Sequence, residues 1–280
     1  MDQILSRPEI QSAVLPFIVG LLLYIGLRKL TANAWIWAVF TGFLISVGLI
    51  NGLTITPLTG TRKIILLVLA SFIVAGFIYR LIPGVNWRRT TTYVLGVLAL
   101  LWVFWKVILR MEASGMALFL VGGVGLVLWL VWAFDRIGGD DARLHGAGFS
   151  LLLGTGLSAT AGASALLGQL ALSLSAASGG VLLAWVLMGR TSAANTDAIK
   201  ASSLPYALAA ALLGLAAVIF ARMPWHALIP LAAIPFVTGF VPKVSDTRFT
   251  NALVTSLPGL LIASAVSFWV WQMGSSSSGY

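Results

Sequence analysis

The chain has 280 residues, 59% hydrophobic and 9% charged, with a mean hydropathy of +1.00 and a formal net charge of +9. Soluble domains carry about 25% charged residues, so a water-soluble fold is excluded, and the class that is left is an all-α, polytopic membrane protein. The basic residues stand singly or in pairs at the ends of apolar runs, as in Arg28-Lys29, Arg62-Lys63 and Arg88-Arg89; this is the pattern of topology determinants and contacts to membrane lipids, and it excludes nucleic acid as a partner.

Residues 1–11 carry Asp2, Arg7 and Glu9 but no basic leader and no small-residue cleavage site, so the first apolar run reads as a retained helix. Apolar runs bounded by charge or proline then predict ten transmembrane helices, near 12–27, 34–53, 64–82, 91–110, 115–134, 145–164, 168–189, 203–221, 225–241 and 252–272. Pro205 and Pro224 fall where a first helical turn tolerates proline. Trp35, Trp37, Trp87, Trp225, Trp269 and Trp271 fall near span ends, where aromatic belts sit at the membrane surface. The loops are short, with no room for a soluble domain. Residues 1–273 read as one transmembrane domain, and the serine-rich residues 274–280 as a disordered tail.

The span count turns on residues 146–189, which hold no charged side chain. At 1.5 Å per residue they make roughly 66 Å of helix, about twice a bilayer core of about 30 Å. With a hairpin here, turning near residues 163–168, eleven Lys and Arg fall in odd-numbered loops and six in even loops and the termini. With a single crossing the counts become eight and nine and the bias vanishes. The bias places the odd loops in the cytoplasm and both termini outside it, and the setting reads as a bacterial inner membrane.

The first arm of the hairpin carries small residues four apart: Gly146, Ser150, Gly154, Ser158 and Gly162. Helices in lipid gain little by burying apolar surface against each other, so close backbone approach drives their association. The ladder is therefore a helix-packing seam, against this chain or a partner, or alternatively a polar path using Ser150, Thr155, Ser158 and Thr160. Further on, Pro230, Pro235 and Gly239 lie in the ninth span and Pro258-Gly259 in the tenth. An interior proline frees a carbonyl, and broken helices of this kind hold substrate near mid-membrane in many transporters; neighbouring helices can equally satisfy the freed groups. A substrate path would draw on Thr155, Ser158, Pro230, Pro235, Pro258 and Gly259.

Other chemistry is thinly represented. No Asp or Glu lies at mid-depth in any span, which argues against a proton-coupled carrier, an ion pump or a voltage sensor. The absence of cysteine excludes disulfides, thiolate metal sites and a thiol nucleophile. Asp135, Asp140 and Asp141 group in a glycine-containing loop but read as a solvated turn with Asp–Arg pairing, not a cation site. Ser164 and His226 have a formal likeness to a serine–histidine pair, yet one falls in a predicted turn and the other beside Pro224 at a span start. No metal or cofactor is implied, and the chain reads as non-enzymatic. Two functions stay open: a carrier or facilitator for a small neutral or amphipathic molecule, and a non-catalytic subunit or assembly factor packing on a partner membrane protein.

Overall fold

The computed structural model describes residues 7–31, 33–52, 56–82, 84–189, 204–242 and 247–276, and no strand occurs among them. Among the described residues, ten α-helices follow in chain order: α1 (Leu15–Leu27, entered through a π-helical turn Ile10–Val14), α2 (Ala34–Ile50), α3 (Gly60–Leu81), α4 (Val85–Ile108), α5 (Ala113–Ile137), α6 (Asp141–Ala161), α7 (Ala165–Met188), α8 (Leu204–Phe220), α9 (Leu228–Phe240, led in by a 3₁₀ turn Trp225–Ala227) and α10 (Arg248–Ser276). A helix satisfies all its backbone groups internally, which is what lipid demands. Six of the helices are long and apolar enough to cross a membrane; Ala34–Ile50, Leu204–Phe220 and Trp225–Phe240 are shorter apolar segments. The architecture is that of a multi-pass helical membrane bundle.

Helix ends differ from the sequence reading where charge sits. The α4 helix starts at Val85 and takes in Arg88 and Arg89, α5 runs through Asp135 and Arg136 to Ile137, and α6 starts at Asp141. Hydropathy marks where the apolar zone stops, whereas backbone hydrogen bonding continues into the headgroup layer, where charged ends are solvated. Gly274 to Ser276, read as part of the tail, belong to the last turn of α10. Side-chain caps fix two of the polar starts. Thr59 Oγ1 accepts from the Arg62 amide at 3.4 Å, and Asp140 Oδ1 accepts from the Ala142 and Arg143 amides at 3.1 and 3.3 Å.

Contacts between loop ends show that successive helices run in opposite directions. At the odd-loop end Arg143 Nη2 donates to the Val241 carbonyl at 2.7 Å, Arg89 pairs with Asp135 at 2.7 Å, and Arg248 lies against Gly189. At the even-loop end Lys63 Nζ donates to the Trp102 carbonyl at 3.0 Å and Ser46 Oγ to the Gln11 carbonyl at 2.8 Å. Residues 146–189 form a helical hairpin, α6 and α7, turning over residues 162–164, a little earlier than the sequence suggests. Of the basic residues that set the charge bias, Arg190, Lys200 and Lys243 lie outside the described residues, as do Thr54 and Ile55 of the hydroxyl-rich second loop.

The interior is built from α6, α7 and α8. In α7 67% of the span is buried, against 22–39% for the other five long spans. Every residue of α8 from Leu204 to Ala217 is buried. Apolar character on all faces is what a fully enclosed helix needs. The α1 and α2 helices pack on α7, where Gly20 and Gly42 let it approach: a methyl group at Gly20 would sit 2.5 Å from the Ala177 carbonyl oxygen. The α3, α4 and α5 helices wrap α8, and α9 and α10 cover α6.

One belt assignment is corrected. Trp35 is 3% exposed and belongs to the core, because it faces inward from α2 onto His145 and Tyr206. Trp37, Trp87, Trp225 and Trp271 are exposed near helix ends as the belt requires.

Candidate functional site

The small-residue ladder is taken up by this chain's own last helix. In register along α6 and α10, Gly146 meets Ser256, Ser150 meets Gly259, Gly154 meets Ala263 and Ser158 meets Ser267. A methyl group at Gly146 would lie 2.6 Å from Ser256 Oγ, and one at Gly154 would lie 2.9 Å from Ala263 Cβ. Ser158 Oγ and Ser267 Oγ stand 3.4 Å apart, and Ser150 Oγ donates to the Ser256 carbonyl at 3.4 Å. Gly162, at the foot of the ladder, abuts the Ala221 carbonyl. Both helices run toward the even-loop end, so this is a parallel seam of small residues on each side, the geometry that lets backbones approach in lipid.

Among the described residues, those suggested for a substrate path do not converge on one cavity. Thr155 is buried and bonds back to the Leu151 carbonyl at 2.8 Å, and Thr160 to the Gly156 carbonyl at 2.9 Å, a common fate of hydroxyls inside helices. Ser158 and Gly259 are consumed by the seam. Pro230 is the third residue of α9, where the missing amide has no helical acceptor to serve. Pro258 is interior to α10, and Pro235 to α9, where it lines a cleft of about 130 Å³ beside Ile137 and Phe236. The acidic loop is spent on structure, since Asp135 pairs with Arg89 and Asp140 caps α6. Ser164 Oγ accepts from the Leu167 amide at 3.3 Å, and His226 packs on Trp269 with ring centroids 4.7 Å apart.

A larger feature lies elsewhere, between α5 and α9. Trp129 Nε1 donates to the Ala232 carbonyl at 2.8 Å, and the Trp129 and Phe236 rings lie 5.4 Å apart. This junction ties the odd-loop half of α5 to the middle of α9. On its other side they enclose an open groove of about 560 Å³, walled by Leu118, Leu126 and Trp129 of α5 and by Leu228, Ile229 and Ala232 of α9. Leu215 of α8 lines it as well, and Trp225 stands at its even-loop end, 67% exposed. Its volume lies in the range of small-molecule sites, about 300–1,000 Å³. Gly122 and Gly125 leave the α5 wall bare, since a methyl group at either would meet nothing within 4 Å.

Sequence reasoning passed over this groove. The available signal was Gly122-Gly123-Val124-Gly125 inside an apolar span, a run with helix-weakening residues and no turn around it. It also missed a buried polar knot near the odd-loop end. His145 Nδ1 lies 3.0 Å from the Tyr206 hydroxyl. Trp35 stacks on Tyr206 at 5.5 Å and meets His145 edge-on at 5.0 Å. Gly148 makes room for the phenol ring, whose atoms lie 3.0–3.1 Å from where a methyl group would be. The knot joins α2, α6 and α8 and is closed to solvent, so it locks helices together and offers no space for a ligand. No known protein family matches this sequence, and no curated protein resembles it significantly.

Proposed function

We propose that the protein is a non-enzymatic, multi-pass membrane protein that takes a small neutral or amphipathic molecule from the bilayer into the groove between α5 and α9, in the role of a carrier or facilitator. The observation that carries this reading is the groove itself: about 560 Å³, apolar, and open beside glycines 122 and 125. An apolar space of this size holds no polar partners for water, and a molecule with hydrocarbon is what fills it. The alternative, a subunit or assembly factor, drew its support from a seam awaiting a partner. That support is gone, because α10 occupies the seam.

In this reading ten helices cross a bacterial inner membrane, the odd loops face the cytoplasm, and both termini face away from it. The test is extraction of bound small molecules from protein purified in mild detergent, followed by mass spectrometry. Wild-type protein is expected to retain a hydrophobic or amphipathic species in stoichiometric amount, and Gly125→Trp to lose it. Equal retention by the variant would remove the groove from the mechanism.

A further inference from the structure

We infer that the groove holds one acyl chain of an anionic phospholipid, whose phosphate is bound by Arg110 and Arg222 at the even-loop end. This inference rests on the reading of the groove as a site for an amphipathic molecule. Four observations give the occupant its chemistry. The α5 wall from Leu118 to Trp129 covers eleven helical steps, about 17 Å of helix, so the groove is a long slot set along the membrane normal and suits an extended chain. Its inner end is closed by the Trp129–Ala232 hydrogen bond, so the chain enters from the even-loop side and does not pass through. Trp225 stands exposed at the mouth, as aromatic residues do at headgroup depth.

Charge selects the headgroup. Two short segments lead into the two walls: residues 109–112 precede α5, and residues 221–227 precede α9. Each carries one arginine, Arg110 and Arg222, both exposed, and neither makes an ion pair among the described residues. Glu112 is the one carboxylate on these segments, and it leaves the mouth with a surplus positive charge. A guanidinium binds a phosphodiester through paired N–H donors, and a mouth of surplus positive charge favours a headgroup whose phosphate is uncompensated over one that also carries a quaternary ammonium. Each arginine near an anionic headgroup contributes about 1 kcal/mol, or roughly fivefold in affinity.

The experiment is native mass spectrometry of the full chain in mild detergent, titrated separately with phosphatidylglycerol and phosphatidylcholine of identical acyl chains. One phosphatidylglycerol is expected to bind at least about fivefold more tightly than phosphatidylcholine. Arg110→Gln with Arg222→Gln should remove that preference and leave binding at the phosphatidylcholine level. Gly122→Trp and, as a second variant, Gly125→Trp should weaken both lipids about tenfold; each new side chain points into open space, so folding is preserved, with the melting temperature as the control. Equal affinities for the two lipids, or a preference that survives both arginine substitutions, would overturn the headgroup assignment and leave the groove reading standing. Undiminished binding of both lipids to both tryptophan variants would overturn the groove reading and this inference together.

Discussion

The indole nitrogen of Trp129 donates to the carbonyl oxygen of Ala232 at 2.8 Å and so fastens α5 to α9. Ala232 is one residue beyond Leu231, whose carbonyl loses its helical donor to Pro235. Proline thus frees the Leu231 carbonyl, while the indole of α5 bonds the next one, Ala232, as a donor additional to that carbonyl's own helical partner. Trp129→Phe keeps the ring and deletes the donor. We expect it to destabilise the protein by about 1 kcal/mol and to loosen the closed end of the groove. Unfolding in mixed detergent micelles reads the first effect and lipid retention the second; unchanged values of both would show that the bond does not fasten the helices.

The seam predicts a sharp contrast between glycines. Gly154→Leu forces a side chain against Ala263 and Leu231, within 3 Å of both, and overpacking of this kind costs about 1–3 kcal/mol. Gly20→Ala places a methyl group 2.5 Å from a backbone carbonyl, which cannot rotate away, and is expected to be at least as damaging. Gly76→Ala and Gly26→Ala meet nothing within 4 Å, and their effects should stay within about 0.5 kcal/mol. Apparent melting temperatures of the four purified variants decide the matter. Similar losses at all four positions would contradict the packing described for α6, α7 and α10.

The buried knot is suited to a double-mutant cycle. Tyr206→Phe removes the hydroxyl that faces His145 Nδ1, and His145→Leu removes the ring. Leaving a buried polar group unpaired costs about 1–3 kcal/mol, so each single variant should be clearly destabilised. The double variant should recover part of the loss, with a coupling energy in the range of about 0.5–3 kcal/mol. Trp35 stacks on the phenol ring, and its fluorescence offers a second readout. Strictly additive losses would mean that the two side chains do not interact.

Orientation can be tested cleanly because the chain has no native cysteine. Single cysteines at Leu58, in an even loop, and at Gly139, in an odd loop, sit in exposed connections. A membrane-impermeant maleimide added to intact cells, with the outer membrane opened where there is one, should label Leu58→Cys. Gly139→Cys should react only after the inner membrane is broken. The reverse pattern would invert the proposed topology.

Much of the helical framework is legible in the sequence because lipid imposes it: apolar length marks each helix, and charge counts turned the uncharged run of residues 146–189 into a hairpin. The seam is legible for a related reason. A spacing of four places Gly146, Ser150, Gly154 and Ser158 on one face whatever the rest of the fold does. What that face would meet was not legible, since Ser256, Gly259, Ala263 and Ser267 lie more than a hundred residues away. Trp35 shows the limit most plainly. Its position near a helix end fixes depth, but burial depends on which way the helix is turned, and that is set by His145 and Tyr206. The groove is the extreme case: it exists because α5 and α9 meet at Trp129 and Ala232 and part beyond them, and no local pattern encodes where two distant helices separate.

The parallel seam has a consequence for synthesis. Ser158 and Ser267 are 109 residues apart, and ribosomes add about 5–20 residues per second, so α6 waits roughly 5–20 s in the membrane before α10 emerges. Through that interval its row of glycines and serines faces lipid or whichever helix comes first. The hairpin partner α7 is made directly after α6 and covers a different face, through Gly156 and Gly168. The nascent bundle is thus held as an α6–α7 core with one sticky side, and the last helix made is the one that seals it.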